Sequence, residues 1–281
     1  MKVALIGYGR MGRLLEAQCR ERGHQVAAVV DPLAGTAGFA GLAPGRAPAF
    51  ATIAEGAQGL ASGRAPGRAQ GLAPGLREAD LALEFSRPDT AAENLLALAG
   101  LGLPVVCGTT GWYDRLPEVA AAVEAAGTSL VWASNFSLGV NLFYRIAEAA
   151  ALIMDPFPEY DLGGWEAHHH NKADSPSGTA RALVERVLSR MSRKTQAVYD
   201  KLDRPPAPQE LHYASLRLGS EPGLHSLIFD SAADTIELSH RARNREGLAA
   251  GALRAAEWLA RRQGAGVFTM DDVLEDLLGS G

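Results

Sequence analysis

Cysteine and lysine are both scarce in this 281-residue sequence. The two cysteines, Cys19 and Cys107, form no local CxxC pair, which argues against a disulfide framework and a thiolate metal site. Only four of the 27 basic residues are lysines. A lysine within a functional motif therefore calls for a chemical reason.

Long apolar runs and strong net charge are also absent. No stretch approaches the roughly 18 apolar residues that a membrane-spanning helix needs. A formal net charge of -5 offers no general attraction for nucleic acid or for an anionic membrane. We therefore expect a cytoplasmic protein that acts on small molecules, with no nucleic-acid partner and no membrane partner.

The order of apolar runs predicts the fold class. In the first half, short runs rich in Val and Leu, such as Lys2–Ile6 and Gln25–Val30, alternate with helical patterns, which is typical of a doubly wound parallel sheet. Three extended stretches follow one another within residues 210–242, which predicts an antiparallel or mixed sheet. The prediction is an α/β protein, with a Rossmann-type dinucleotide-binding domain and an α+β mixed-sheet domain.

The predicted domain boundaries follow this change of pattern. Residues 1–134 and 243–281 are assigned to the dinucleotide-binding domain, and residues 135–242 to the substrate-binding domain. Residues 34–77 are rich in Ala, Gly and Pro, so we expect an irregular connection there. It should contain at most a short strand near 49–51 and a helical turn near 53–58.

A GxGxxG segment, GYGRMG at residues 7–12, lies between a predicted strand and a predicted helix. Gly7 permits the tight turn, Gly9 lets the backbone approach a pyrophosphate, and Gly12 allows the helix to pack closely on the strand. This context predicts a dinucleotide site, with a structural glycine turn as the alternative.

Asp31 ends the next predicted strand. Its carboxylate should accept hydrogen bonds from the adenosine ribose hydroxyls and repel a 2′-phosphate, which favours NADH over NADPH. Arg10 or Arg13 could weaken that preference, because a guanidinium can pair with a phosphate.

Two further loops, CGTTGW at 107–112 and ASNFSLGVN at 133–141, follow predicted strands. Ligands of open α/β sheets bind at the carboxyl ends of strands, so both loops are candidate contacts for a nicotinamide or ribose. Ordinary turns are the alternative.

Residues 166–180 read EAHHHNKADSPSGTA. A metal site is one interpretation, yet in an extended segment His168 and His170 would share a face while His169 points away. The segment also lacks an HExxH pattern and has no cysteine nearby, so we predict no metal site.

A solvent-exposed loop and a proton-handling site are the other two interpretations of this segment. A helix that starts near Gly178 has free N–H groups, which together with the Ser177 and Thr179 hydroxyls can bind a carboxylate. Histidine and Lys172 just upstream could supply protons to that substrate. Arginine could not, because a guanidinium holds its proton too strongly.

These motifs together resemble the dihydrodipicolinate reductase family. Besides 166–180, the family's order is matched by GYGRMG, LEFSRPDTAAENL at 83–95, GTTGW, ASNFSLGVN and HRARNREGLAAGALRAAEWL at 240–259. The resemblance covers most of the chain outside 34–77. It implies hydride transfer from NADH or NADPH to 4-hydroxy-tetrahydrodipicolinate, or to its dehydrated form, in lysine and diaminopimelate biosynthesis.

The resemblance also implies residue roles. His168 matches a proton donor or acceptor, and Lys172 a second proton donor. The predicted substrate-binding residues are His169, Ser177, Gly178 and Thr179. The predicted cofactor-binding residues are Gly7, Tyr8, Gly9, Arg10, Met11, Gly12, Asp31, Gly108, Thr109, Thr110, Ser134, Asn135 and Phe136. The family's second domain is used to form a homotetramer.

One departure from the family strengthens the cofactor prediction. Pro32 follows Asp31 where many members carry a basic residue, so NADH is the preferred cofactor and NADPH the second choice. Two alternatives for the function remain, namely another nicotinamide-dependent dehydrogenase of a small acid and a catalytically silent NAD(P)-binding relative.

Overall fold

The computed structural model describes residues 1–34, 49–50, 53, 74–199 and 201–279. Two compact units make up the chain: unit 1 is Met1–Phe136 with Leu248–Gly281, and unit 2 is Ser137–Gly247. Most of the predicted irregular connection at 34–77 lies outside the described residues. The helical turn predicted near 53–58 also lies outside them, apart from Ile53.

The elements are numbered here in chain order. The strands are β1 (Lys2–Ile6), β2 (Gln25–Val30), β3 (Ala49–Phe50), β4 (Leu81–Glu84), β5 (Val105–Cys107), β6 (Ser129–Trp132), β7 (Asp161–His168), β8 (Gln196–Val198), β9 (Glu210–Arg217), β10 (Leu224–Asp230), β11 (Thr235–Arg241) and β12 (Gly266–Phe268). The helices are α1 (Arg10–Glu21), α2 (Pro74–Glu78), α3 (Pro88–Gly100), α4 (Leu116–Ala125), α5 (Leu138–Met154), α6 (Gly178–Leu188), α7 (Glu246–Arg261) and α8 (Met270–Gly279).

Unit 1 contains a seven-stranded parallel sheet in the order β12-β6-β5-β4-β1-β2-β3. Successive side chains of β1 pack on opposite faces of this sheet. Val3 and Leu5 join a core with α1 and α7, whereas Ala4 and Ile6 join a core with α3 and α4. Burial on both faces explains why the strands are continuous apolar runs. The predicted Rossmann-type domain is confirmed.

Unit 2 contains a five-stranded sheet in the order β11-β10-β7-β9-β8. Strand β10 pairs antiparallel with β11 and β7, while β7, β9 and β8 run parallel, so the predicted mixed sheet is confirmed. Helices α5 and α6 cover one face through residues such as Phe143 and Leu183.

That helix-covered face changes character along β7. At one end Leu162, Leu211 and Phe229 belong to the apolar core. Further along, the register places Glu166 beside Ser215 of β9 and His225 of β10. Since alternate residues of a strand share a face, the same row of side chains passes from apolar packing to a polar cluster.

Several boundaries differ from prediction. Helix α5 starts at Leu138, inside the predicted loop 133–141, because the Ser137 side chain caps it by accepting from Val140 N–H. The prediction that 133–141 is all loop was therefore wrong. The short elements α2, β8 and β12 were missed, since three to five residues show no clear periodicity. Among the described residues, no helix is long and apolar enough to cross a membrane.

Two adjacent glycines of β7 provide a test of this packing. A Cβ at Gly164 would lie 2.6 Å from the Ser226 carbonyl oxygen and 2.7 Å from the Tyr213 ring. A Cβ at Gly163 would meet its nearest atom, the His212 carbonyl oxygen, at an ordinary 3.5 Å. We expect Gly164→Ala to lower the free energy of unfolding by about 1–3 kcal/mol through overpacking.

Gly163→Ala is the matched control, and it should change that free energy by less than about 1 kcal/mol. Urea denaturation of both variants measures the difference. Equal stabilities would contradict the packing described for Gly164.

Candidate active site

The predicted cofactor residues lie along one edge of the unit 1 sheet. Strands β1, β2, β5 and β6 are parallel, so their carboxyl ends meet the same edge. The segments that follow them are 7–12, Asp31, 108–110 and 134–136. Open α/β sheets bind their ligands at this edge.

The three motif glycines differ in what surrounds them. Gly7 has φ +89°, and a Cβ there would lie 2.4 Å from the Phe85 carbonyl oxygen. A Cβ at Gly12 would lie 2.3 Å from the Gly7 carbonyl oxygen. A Cβ at Gly9, by contrast, would meet no atom within 4 Å, so packing does not require a glycine there. Gly9 precedes helix α1, and the approach of a phosphate to that helix N-terminus would explain it.

The Asp31 carboxylate also accepts two backbone hydrogen bonds that the sequence did not reveal. Its Oδ2 accepts a hydrogen bond from Tyr8 N–H at 2.7 Å, and its Oδ1 accepts one from Leu33 N–H at 2.9 Å. The Asp31 carboxylate therefore stabilises the glycine loop through its hydrogen bond from Tyr8 N–H. The Tyr8 side chain is buried, and its hydroxyl donates to Glu16. Only the backbone of Tyr8 is therefore left to contact a cofactor.

The loop after β5 contains a polar atom that needs a partner. The Thr109 carbonyl oxygen accepts from Trp112 Nε1 at 2.8 Å, but the buried Thr109 Oγ1 has no hydrogen-bond partner among the described residues. A Cβ at Gly108 would lie 2.1 Å from the Phe85 ring. A nicotinamide or ribose hydroxyl would satisfy Thr109 Oγ1, so the residues present fit a dinucleotide.

The predicted cofactor residues in the loop after β6 differ in their exposure to solvent. Ser134 is exposed and Asn135 is half-buried, whereas Phe136 is buried with its ring 6.0 Å from that of Phe85. Because the Phe136 ring is buried, only the backbone of this residue could make the predicted contact with a cofactor. Arg10 and Thr110 are exposed and Met11 is half-buried.

The histidine run bends sharply in unit 2. Strand β7 ends at His168, after which Lys172 N–H donates to the His169 carbonyl oxygen at 3.0 Å. His170 Nδ1 lies 2.7 Å from the Gly219 carbonyl oxygen. The prediction that His168 and His170 share a face was wrong, because the extended backbone stops at His168. Glu166 and His168 share that face instead.

Glu166 is a fully buried carboxylate at the centre of this region. Its Oε1 accepts from Ser177 N–H at 2.9 Å, from Ser215 Oγ at 2.9 Å and from an Arg217 NH2 group at 3.0 Å, and its Oε2 accepts from the Ser177 hydroxyl. Burial by itself would raise the pKa of Glu166. The hydrogen bonds from Ser177, Arg217 and Ser215 outweigh burial and lower that pKa, so Glu166 is ionised.

His168 lies next to this carboxylate. Its Nδ1 is 3.4 Å from Glu166 Oε2, within ion-pair distance but without hydrogen-bond geometry. Burial lowers the pKa of His168, the Glu166 charge opposes that change, and the positive charges of Lys172 and Arg217 add to it. A Cβ at Gly223 would lie only 3.1 Å from His168 Nε2, so the glycine leaves this nitrogen room.

Lys172 and the start of α6 converge on one carboxylate. Lys172 Nζ lies 2.8 Å from Asp174 Oδ1. Burial would raise the pKa of Asp174, but the hydrogen bond and charge of Lys172 and the Gly178 N–H lower it. Ser177 caps α6, since its Oγ accepts from Ala180 N–H at 3.1 Å. Lys172, predicted as a proton donor, and Gly178, predicted to bind a substrate carboxylate, thus lie beside the same anion.

Three side chains of the site have a spacing that a metal ion could use. Glu166, His168 and His225 each offer a ligand atom within 4.8 Å of the others. The oxygens of Glu166, however, already accept four hydrogen bonds, one of them from a guanidinium that would repel a cation. This donor set suits proton chemistry better than cation binding, and the absence of a metal stays a prediction.

Sequence reasoning missed Glu166, Ser215, Arg217 and His225 as members of the site. For Glu166 a signal existed, because it precedes His168 by two positions in a strand-like segment. The other three come from β9 and β10, and only the register of the sheet brings them to Glu166 and His168.

Comparisons with known proteins agree over the whole chain. Two family models match it: "Dihydrodipicolinate reductase, N-terminus" over residues 1–136 and "Dihydrodipicolinate reductase, C-terminus" over residues 139–274. The chain is similar to the 4-hydroxy-tetrahydrodipicolinate reductase of Christiangramia forsetii, with 32% identity and 99% of each chain covered. It is 37% identical to that of Alkalilimnicola ehrlichii, with 97% of this chain and 98% of the relative covered.

A solved structure shows the same fold. It is the dipicolinate-bound dihydrodipicolinate reductase from Paenisporosarcina sp. TG-14, with a TM-score of 0.72 and 19% identity. The alignment covers 96% of this chain and 97% of that one.

The interpretation of the Glu166 cluster can be tested by metal analysis. We expect purified protein, dialysed without chelator, to hold far less than one transition-metal ion per chain, because the Glu166 oxygens are already in use. Inductively coupled plasma mass spectrometry measures this content. Stoichiometric zinc that is lost from a His225→Ala variant would show that the cluster is a metal site.

Proposed function

This chain belongs to the dihydrodipicolinate reductase family, and we propose from that premise which residues carry its reaction and which cofactor it prefers. The enzyme is an NAD(P)H-dependent oxidoreductase of lysine and diaminopimelate biosynthesis. It reduces 4-hydroxy-tetrahydrodipicolinate, or the dehydrated form, to tetrahydrodipicolinate, and its substrate is a cyclic dicarboxylate.

We propose that unit 2 binds this substrate between Lys172 and the start of α6. The observation that carries the proposal is the Asp174 carboxylate, which pairs with Lys172 at 2.8 Å and whose pKa the Gly178 N–H also lowers. A substrate carboxylate would take the place of Asp174 and gain the positive end of the helix. Thr179 follows directly in α6, and His169 lies in the turn that leads to Lys172.

His168 and Lys172 are proposed to move the protons. Loss of the substrate hydroxyl as water takes one proton from a donor and releases one from a ring carbon, and completing the reduction after hydride addition takes another proton. His168 is proposed for this task because its imidazole lies beside the ionised Glu166 carboxylate and Gly223 leaves room at its Nε2. Lys172 is the second donor, and its ammonium can release a proton where a guanidinium cannot.

Unit 1 is proposed to hold the nicotinamide cofactor, which supplies the hydride when bound. Gly9 offers open backbone at the start of α1, Asp31 offers carboxylate oxygens, and Thr109 offers a hydroxyl that needs a partner. With Pro32 after Asp31, the binding position for the adenosine ribose has no basic neighbour on the carboxyl side. We therefore propose NADH as the preferred cofactor and NADPH as the second choice.

A cytoplasmic homotetramer assembled through unit 2 is the proposed state of the enzyme. The mixed sheet supports it, because Leu216 on β9 and the nearby Leu218 are 48% and 51% exposed. Exposed apolar side chains that lie close together are typical of a subunit interface. The cytoplasm is proposed because the nicotinamide cofactor is available there.

The proposed function is tested by NADH oxidation, with substrate generated enzymatically from aspartate semialdehyde and pyruvate. Wild type should turn over, and Lys172→Ala should lose at least about 100-fold in kcat, the usual contribution of a positioned proton donor. Its affinity for NADH, measured by fluorescence, should be nearly unchanged. Lys201→Ala is the matched control, because that lysine is 84% exposed and pairs with the surface residue Asp203.

Near-normal turnover of Lys172→Ala would remove this residue from the chemistry. If wild type fails to turn over, the catalytically silent alternative is favoured.

The cofactor preference has its own test. We expect kcat/KM for NADH to exceed that for NADPH by at least about 10-fold, which needs only about 1.4 kcal/mol of repulsion by Asp31. Asp31→Asn removes the charge while keeping an oxygen that can accept from Tyr8 N–H, so it should narrow the ratio without unfolding the loop. A lower KM for NADPH than for NADH in wild type would overturn the preference.

A further inference from the structure

We infer that Glu166 is a positioning residue, which holds the proton-handling His168 and the start of helix α6 in one fixed arrangement. The inference rests on the proposed function, because it concerns groups assigned there to proton transfer and carboxylate binding. The Glu166 side chain is fully buried, so it acts through its neighbours and not by contact with the substrate.

The first neighbour is Ser177, which caps α6. Glu166 Oε1 accepts from Ser177 N–H at 2.9 Å, and Oε2 accepts from the Ser177 hydroxyl. With its proton directed to Glu166, the hydroxyl turns a lone pair toward Ala180 N–H, which donates to it at 3.1 Å. Glu166 thereby sets the orientation of the cap, and with it the direction of the N–H groups in the first turn of α6.

The second neighbour is His168. Glu166 Oε2, the same oxygen that accepts from the Ser177 hydroxyl, lies 3.4 Å from His168 Nδ1. The two atoms lack hydrogen-bond geometry, but a negative charge at this distance favours a proton on Nδ1 and leaves Nε2 as the nitrogen that exchanges protons. Nε2 is also the nitrogen beside Gly223, where a Cβ would lie only 3.1 Å from it.

Arg217 connects this arrangement to the turn between β7 and α6. It donates to Glu166 Oε1 at 3.0 Å and also to the Asp174 carbonyl oxygen. The register pairs Arg217 with His168 across β9 and β7. The ion pair thus fixes the carboxylate at the end of β7 and the segment that carries Lys172 and Ser177.

Several charged or titratable groups surround His168. They are Glu166 on β7, Lys172 and Asp174 in the following turn, Arg217 on β9 and His225 on β10. Burial lowers the pKa of His225 to about 4, so that ring is neutral near neutral pH. Among the charges around His168, that of Glu166 raises the pKa of His168 most and so favours its protonated form.

The experiment replaces Glu166 with glutamine. Glu166→Gln keeps the size and one acceptor oxygen, but it removes the charge and places an NH2 donor among groups that already donate. We expect kcat/KM to fall by about 10- to 100-fold, the range known for partners that orient metal-bound histidines. We also expect the pKa of His168, followed by NMR of labelled histidine, to shift to lower pH.

The sign of the pH effect follows from the loss of negative charge. Without Glu166, protonated His168 loses its main stabilising charge, so the limb of the pH–rate profile that needs protonated His168 moves to lower pH. Binding of dipicolinate, used as a probe of the carboxylate site, should weaken by about 10-fold if the cap of α6 is disturbed, a ratio that corresponds to about 1.4 kcal/mol.

Glu210→Gln is the matched control. Glu210 is a buried carboxylate on β9 that accepts from Arg204 and from Ala207 N–H, but it lies five positions from Ser215, or about 16 Å along the strand. We expect it to change thermal stability without moving the pH profile or dipicolinate binding. A purely structural role for Glu166 would make the two glutamine variants behave alike, and that result would overturn the inference.

Glu166→Asp decides the matter if the glutamine variant does not fold. It keeps the charge on a shorter side chain, so the pH profile should return toward that of wild type while kcat stays reduced. Wild-type kcat in this variant would show that the placement of the carboxylate is unimportant. The histidine titration and dipicolinate binding do not require turnover, so an inactive wild type would refute the proposed function while still testing Glu166.

Discussion

Burial of one negative charge organises unit 2. The Glu166 carboxylate has no access to water, and a buried charge is tolerated only when it is paired and hydrogen-bonded. Its donors come from two places, the start of α6 through Ser177 and strand β9 through Ser215 and Arg217. The hydrogen bonds that stabilise the buried charge therefore connect the sheet to helix α6. The groups assigned to proton transfer and carboxylate binding are then held near one another before the substrate binds.

The mixed sheet supplies the conditions for this arrangement. Along one face, side chains pass from the apolar core around Leu162 and Phe229 to Glu166 and His168 at the end of β7. The apolar end packs against α5 and α6, while the polar end borders the turn that carries Lys172. At this border burial disfavours the charged form of His168 and lowers its pKa, whereas hydrogen bonds lower the pKa of Glu166 and keep it ionised.

Unit 1 relies on close backbone approach instead. Gly7 and Gly12 are required by the packing of β1, β4 and α1, whereas Gly9 faces open space. Asp31 links this loop to β2 through the hydrogen bond from Tyr8 N–H, so the carboxylate proposed to meet a ribose also shapes the loop. The parallel sheet brings these groups to one edge because all of its strands run in the same direction.

Much of this was present in the sequence alone. Apolar runs and glycine spacing are local patterns, so β1, α1, β2 and the family itself were predicted correctly, and the two family models and curated relatives confirm the latter. Residue type also marked Lys172 and His168 as proton-handling candidates. Only the tertiary structure decided that Glu166 meets Arg217 and His225, and that Asp174 lies against both Lys172 and Gly178. The reason is physical: strand register and the path of a turn depend on contacts between residues far apart in the chain, which no local pattern records.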